Sequence, residues 1–182
     1  MDRETVIRAQ AGDQEAFTRL AGGLTPTFLA TAHRILRDIF LAEDATQRAM
    51  LNIWRGLPRL REPDRFEAWS YRLLVRACYS EARRARRWAP ANALLAPDAS
   101  GTPDPARAVV DRDELERAFR RLSLDHRAVV VLRHYRHLSM DEISNALGIP
   151  VGTAASRLHY AMRELRAAVE ADARPAAGRV TP

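Results

Sequence analysis

The chain contains no lysine: all 29 of its basic residues are arginine. A planar guanidinium fork grips phosphate bidentately and stacks on bases, so this bias suits a nucleic-acid partner; it equally suits a GC-rich coding preference. Cysteine occurs once, at Cys78, which excludes an intrachain disulfide and any cysteine-rich zinc site. Such a thiol is expected to be a small buried residue in a reducing cytosol. The stretch MDRETVIRAQ lacks the apolar core of a secretory signal. The longest uncharged apolar run, residues 20–32, is too short for a membrane span and contains Gly22, Gly23 and Pro26. A cytoplasmic protein is expected.

Several kinds of chemistry are missing as well. No β-type alternation of apolar and polar residues is seen, and no Ser–His–Asp order, paired-carboxylate pocket or glycine-rich phosphate loop. The expectation is a chain that is not an enzyme and carries no cofactor. His126, His134 and His137 lie close together, the last two at i and i+3. Without an acidic or cysteine partner they read as surface residues among Arg127, Arg133 and Arg136, and no metal site is expected.

What is present is a core-forming composition, 47% hydrophobic over 182 residues, with a net charge of +6 and a pI near 10.5. That length allows one domain or two small ones, and the charge is an electrostatic footprint for a polyanion. The most informative stretch is Leu138–Arg166, LSMDEISNALGIPVGTAASRLHYAMRELR. Ser139 and Glu142 have the spacing of a capping box, and Ile143 and Leu147 line one side of a short helix. Gly148 suits the left-handed residue after a helix, and Pro150 the start of the next. In that next helix Val151, Ala154, Ala155, Leu158, Met162, Leu165 and Val169 recur at three- and four-residue spacing. Thr153, Ser156, Tyr160 and Arg163 then fall opposite, flanked by Arg157 and His159. Spacing alone leaves two readings open, a helix-turn-helix with its recognition helix or an ordinary helical hairpin with a solvated face.

Taken in order, residues 1–88 read as helical throughout. Asp2 and Asp13 are candidate N-caps, and a long helix carrying Phe17, Leu20, Phe28, Ala32, Ile35 and Leu36 is expected to kink near Gly22–Pro26. A second helix spans about Ala42–Leu57, with Met50, Ile53, Trp54 and Leu57 at helical spacing. After the loop RLREPDR a third runs from about Asp64 to Trp88, burying Phe66, Trp69, Leu73 and Ala77. Its end carries Arg83, Arg84, Arg86 and Arg87. These cations either offset the helix dipole or, beside exposed Tyr71 or Tyr79, bind a nucleic-acid strand. Residues 89–110 turn to alanine and proline, the composition of a linker. A second helical domain, 111–172, begins with Leu115, Phe119 and Leu122, continues with Leu124, Ala128, Val131, Leu132 and Tyr135, and ends in the helix-turn-helix. Residues 173–182 are expected to be a disordered tail. The fold class is all-α, two small helical domains on a flexible Pro/Ala-rich linker.

AEDATQRAMLNIWRGL (Ala42–Leu57), FEAWSYRLL (Phe66–Leu74), EARRARR (Glu81–Arg87) and the run Arg121–Ala161 stand in the order and spacing of a known family. Over roughly Gln14–Glu170 the chain resembles the extracytoplasmic-function (ECF) sigma factors of bacterial RNA polymerase, in the sigma-70 family. The resemblance implies that residues 1–88 dock on the polymerase clamp and melt the −10 element, and that residues 111–172 read the −35 element. It implies polymerase contacts at Asp44, Gln47, Arg48 and Trp54. In such proteins the Pro58–Arg65 loop captures a flipped base of the melted promoter. Leu60, Arg61, Arg65, Tyr71, Arg72, Arg76, Arg83, Arg84 and Arg87 are the implied −10 contacts. Thr153, Ser156, Arg157, His159, Tyr160 and Arg163 are the implied −35 contacts. Core RNA polymerase, promoter DNA and an anti-sigma factor are the implied partners, with no insertion into a membrane. The chain departs from the family pattern at Ala155 and Tyr160, where a basic residue is usual. It departs again at Arg76, where Asn is common, and at Leu60, a position often aromatic. The promoter letters therefore do not follow from the resemblance. Two rivals remain at this point: a LuxR/NarL-type regulator, which needs an α/β receiver, and a helical polymerase-binding protein that does not read DNA.

Overall fold

The computed structural model describes residues 2–88 and 110–172, and these contain helices and turns without a strand. The expected linker lies outside the described residues except at Val110, and the expected tail lies wholly outside them. The first helices are α1 (Arg3–Gln10), α2 (Gln14–Leu36), α3 (Ile39–Gly56) and α4 (Phe66–Trp88). Two 3-10 turns, Leu57–Arg59 and Pro63–Arg65, stand between α3 and α4. The second group is α5 (Val110–Arg121), α6 (Leu124–Val130), α7 (Met140–Leu147) and α8 (Val151–Asp172). A π-helical turn, Val131–Tyr135, continues α6.

Helix starts follow local chemistry. The first backbone N–H groups of a helix lack intrahelical acceptors, and short polar side chains supply them. The Asp2 carboxylate accepts from Glu4 and Thr5, Asp13 from Ala16, Asp38 from Leu41, and the Ser123 hydroxyl from His126. Asp38 places the start of α3 three residues earlier than the apolar spacing suggested.

α2 is one continuous helix of 23 residues with Pro26 inside it, so the chain stays helical across the region Gly22–Pro26 where a kink is expected. Proline removes one backbone donor, but Leu20, Leu24 and Phe28 are each at most 5% exposed and seat both flanks on the core. That burial outweighs the lost bond. The core of the first group joins these residues to Ile35, Ile53, Leu57, Phe66, Leu74 and Cys78. Burial pushes the Cys78 thiol up to about 12, so it stays protonated and unreactive at neutral pH. Trp69 and Leu73 only pack against this core. Gly56 lies under Trp69, where an added Cβ would come within 2.9 Å of the ring.

In the second group Ala118, Leu122, Ala128, Val131, Leu132, Leu138, Ile143, Ala154, Ala161 and Leu165 are buried. Tyr135, expected among them, is half exposed, because the wider π turn swings it onto Arg34, whose guanidinium lies 4.1 Å from its ring centre. The same turn and the corner at His137 (φ 54°) take His134 and His137 off a common helix side. Among the described residues no three His, Cys, Asp or Glu side chains stand close enough to hold a metal ion. No described helix is long and apolar enough to cross a membrane.

Candidate nucleic-acid interface

The corner between α7 and α8 is built as its residues dictate. Ser139 and Glu142 form the full capping box: the Ser139 N–H donates to the Glu142 carboxylate at 2.8 Å, and the Glu142 N–H to the Ser139 hydroxyl at 3.3 Å. Gly148 ends α7 at φ 68°, a left-handed conformation that costs glycine nothing. The Ser144 hydroxyl donates to the Ile149 carbonyl at 2.6 Å and closes the turn. Ser139→Ala should cost about 1 kcal/mol of stability, the usual value of an N-cap, read as a lower urea midpoint.

α8 then presents its polar side to solvent. Its inward line is buried Ala154, Ala161 and Leu165 with partly buried Leu158 among them, a spacing of four, three and four. Val151 and Ala155, expected in that line, are exposed, and Ala161 takes the inner position instead. Thr153, Ser156, His159, Tyr160 and Arg163 are all exposed. Tyr160 stands between its neighbours, with the His159 ring 5.7 Å away edge-on and the Arg163 guanidinium 5.2 Å from its centre. This is a solvent-facing cluster of one cation, one phenol and one imidazole, able to donate to phosphates and base edges.

Arg157 differs from that set. At about 100° per residue it lies some 60° from the buried line, and its side chain is 28% exposed. Its guanidinium pairs with Asp125 of α6 at 2.8 Å, and the Tyr79 hydroxyl of α4 donates to the same carboxylate at 2.6 Å. Burial, then the Asp125 contact, raises the Tyr79 phenol well above its ordinary value, so it stays a donor. One carboxylate therefore joins α4 to α8.

α4 carries the second candidate surface. Arg72, Arg76, Arg83 and Arg87 fall within about 60° of helix circumference and are all exposed. Their spacing makes one basic stripe along roughly four turns. The expected exposed tyrosines are not free beside it. Tyr71 is 1% exposed, set between Phe28 (5.4 Å) and Arg136 (5.1 Å), and Tyr79 is half-buried on Asp125. Tyr71 points inward because its position falls on the α2-facing side of α4, where an aromatic ring is worth more as core. Arg84 pairs with Glu81 at 3.7 Å.

At the start of α4 the loop residues Leu60, Arg61, Glu62 and Arg65 line a cavity of about 240 Å³ together with Trp69 and Arg72. Asn145 of α7 also borders it, since α7 packs along α4.

On the far side, α3 aligns Asp44, Gln47, Arg48 and Leu51 within about 100°. All four are exposed, and Leu51 and Trp54 expose 55% and 45% of their surface. Gln47, Met50, Leu51 and Trp54 edge a shallow apolar groove whose other wall is Phe17, Ala21 and Thr25 of α2. Leu51 was missed from sequence, because one exposed leucine in an amphipathic helix has no distinguishing signal. Arg48 also serves the interior, pairing at 2.9 Å with Glu81, whose carboxylate is 1% exposed.

Residues 20–88 match the family model described as Sigma-70 region 2, and residues 118–167 match Sigma-70, region 4. The chain is 36% identical to the ECF RNA polymerase sigma factor SigL of Mycobacterium tuberculosis over 141 residues, covering 74% of this chain and 78% of that one. It is 28% identical to the RNA polymerase sigma-H factor of Pseudomonas aeruginosa over 182 residues, with 93% and 94% coverage. Among solved structures it is similar to CnrH in complex with the cytosolic domain of CnrY, at TM-score 0.67 and 23% identity, covering 94% of this chain and 99% of that one. It is likewise similar to RpoE bound to the anti-sigma factor NepR from Bartonella quintana, at TM-score 0.70 and 23% identity, covering 86% and 98%.

Proposed function

The chain belongs to the sigma-70 family, as an ECF-type sigma factor that directs RNA polymerase to promoters, and from that premise we propose how its own residues divide the work. The observation that carries the division is the order of the two matched segments, each of which supplies an exposed surface of fitting chemistry. The groove of α2 and α3, with Asp44, Gln47, Arg48, Leu51 and Trp54, docks on core polymerase. The α4 stripe of Arg72, Arg76, Arg83 and Arg87 holds the −10 strand. Leu60, Arg61 and Arg65 frame the cavity that takes a flipped base, for which stacking and edge hydrogen bonds offset the few kcal/mol of unstacking. Thr153, Ser156, His159, Tyr160 and Arg163 face the −35 major groove, where an arginine fork is shaped for guanine.

The domain limits that serve this division are 1–88 and 111–172. Neither domain performs a reaction, since RNA synthesis belongs to the polymerase, and the protein works in the cytoplasm. The helices of residues 2–88 supply no α/β receiver, which removes support for a LuxR/NarL-type regulator. The solved RpoE carries the anti-sigma factor NepR, and a partner of that kind here would cover the α2–α3 groove in competition with polymerase.

Run-off transcription with core polymerase on the chain's own upstream region tests the whole reading. Stimulated, start-site-specific transcript is the expected result; none on any native promoter with competent core would overturn it. The Asp125 pair adds a finer expectation. Arg157 has to leave Asp125 to reach DNA, so Asp125→Asn should tighten binding to a −35 duplex by about two- to fivefold, the range of a partly exposed ion pair. Fluorescence anisotropy with the full chain reads the change, and unchanged affinity removes Arg157 from the reading set.

A further inference from the structure

The loop that frames the base-sized cavity is held from outside its own sequence neighbourhood. The Gln10 side-chain amide, at the C-terminal end of α1, donates one N–H to the Leu57 carbonyl at 3.1 Å and the other to the Leu60 carbonyl at 2.7 Å. These two carbonyls bracket the first 3-10 turn, and the Leu57 carbonyl also accepts the Leu60 backbone N–H at 3.1 Å. α1 touches the second turn too, through an exposed Arg3–Asp64 ion pair at 2.9 Å. Both turns that flank the cavity are therefore anchored to one short helix. That helix precedes the residues matched to region 2, which begin at residue 20.

A primary amide suits this role. It is neutral, so it needs no counter-ion in a half-buried place, and it carries two N–H donors that diverge to reach two acceptors. Leu60 itself is extended (φ −70°, ψ 112°), and no helical bond holds its carbonyl. Without Gln10 the first turn would keep only the Leu60 N–H bond to Leu57 and side-chain packing to hold it. A pocket offset by even an ångström loses the geometry on which stacking and edge hydrogen bonds depend.

We propose that Gln10 is a positioning residue for base capture: by clamping the Leu57 and Leu60 carbonyls it fixes Leu60 and Arg61 at the mouth of the cavity bordered by Trp69 and Arg72. This rests on the reading of that cavity as the flipped-base site. Gln10 does not touch DNA; it acts through the loop. Its effect is confined to the energy gained when a base enters.

The experiment uses holoenzyme reconstituted from core polymerase and full-length chain, as wild type, Gln10→Leu (similar size, no donors) and Gln10→Lys (donors restored). Affinity is measured for fork promoter DNA carrying either an intact −10 strand or an abasic site stepped through each −10 position. Wild type should lose about tenfold at one abasic position. Gln10→Leu should bind the intact fork about tenfold more weakly and lose almost nothing further at that position, while its capture by core polymerase is unchanged. Gln10→Lys should recover most of the intact-fork affinity. If Gln10→Leu weakens intact and abasic forks by the same factor, or weakens polymerase capture equally, Gln10 is merely structural and the proposal falls. If wild type is indifferent to every abasic site, the base-capture reading itself falls and takes the proposal with it. Melting curves of the three proteins separate either outcome from unfolding.

Discussion

Core polymerase should capture the Trp54→Ala variant about thirtyfold more weakly than wild type. Trp54 exposes nearly half its surface at the edge of the α2–α3 groove while its ring meets Phe17 edge-on at 4.5 Å. An aromatic side chain at the centre of an interface typically contributes about 2 kcal/mol or more, and 2 kcal/mol is close to thirtyfold in dissociation constant. Leu51→Ala, beside it, should cost less, about fivefold, because it removes less area. The Phe17 contact gives Trp54 a structural share, so the melting temperature of each variant has to be read alongside. A stable Trp54→Ala protein that still binds core polymerase normally would move the docking surface off α3.

Arg48→Ala should lower the melting temperature by roughly 4–8 °C, about 2 kcal/mol for a chain of this size. Its cause is Glu81, a carboxylate with 1% of its side chain exposed, which Arg48 neutralises at 2.9 Å. Removing one partner of a fully buried pair costs more, about 3–5 kcal/mol. Here Arg48 is itself 44% exposed and Arg84 stays within 3.7 Å, so water and the second arginine recover part of the loss. The double variant Arg48→Ala with Glu81→Gln separates stability from docking. Neutralising Glu81 should restore the melting temperature, and if Arg48 also contacts polymerase, capture should remain weak. Full recovery of both would leave Arg48 as a counter-ion only.

Arg48 shows how far the residues could be read without the fold. Its place beside Asp44 and Gln47 on α3 followed from the family resemblance. Its bond to Glu81 did not, because those two positions are 33 residues apart and meet only when α3 packs on α4. Tyr71 fails in the opposite way: a tyrosine in an arginine-rich helix looks solvent-facing until α2 is seen to cover it. Val151 and Ala155 sit at the solvent edge of the apolar pattern, while Ala161, outside that pattern, fills an inner position beside Ala154 and Leu165. Leu51 and Gln10 gave no signal at all. One is a common residue in a common place, and the other acts across a separation of about fifty residues.

Local chemistry settled a good deal by itself. The aspartate and serine caps, the capping box at Ser139, the left-handed Gly148 and the three- and four-residue apolar spacing depend on neighbours within a few positions, so the linear order contains them. The same holds for the exposed side of α8 and the basic stripe of α4, since helix period alone places them. Packing decided the rest: that α2 stays helical through Pro26, that Tyr71 is core, that Arg48 answers Glu81, that Asp125 holds Tyr79 and Arg157 together, and that Gln10 straps the loop. Each of these is a balance between burial, charge and hydrogen bonding among groups far apart in the chain. Such balances exist only once the helices have brought those groups within a few ångströms.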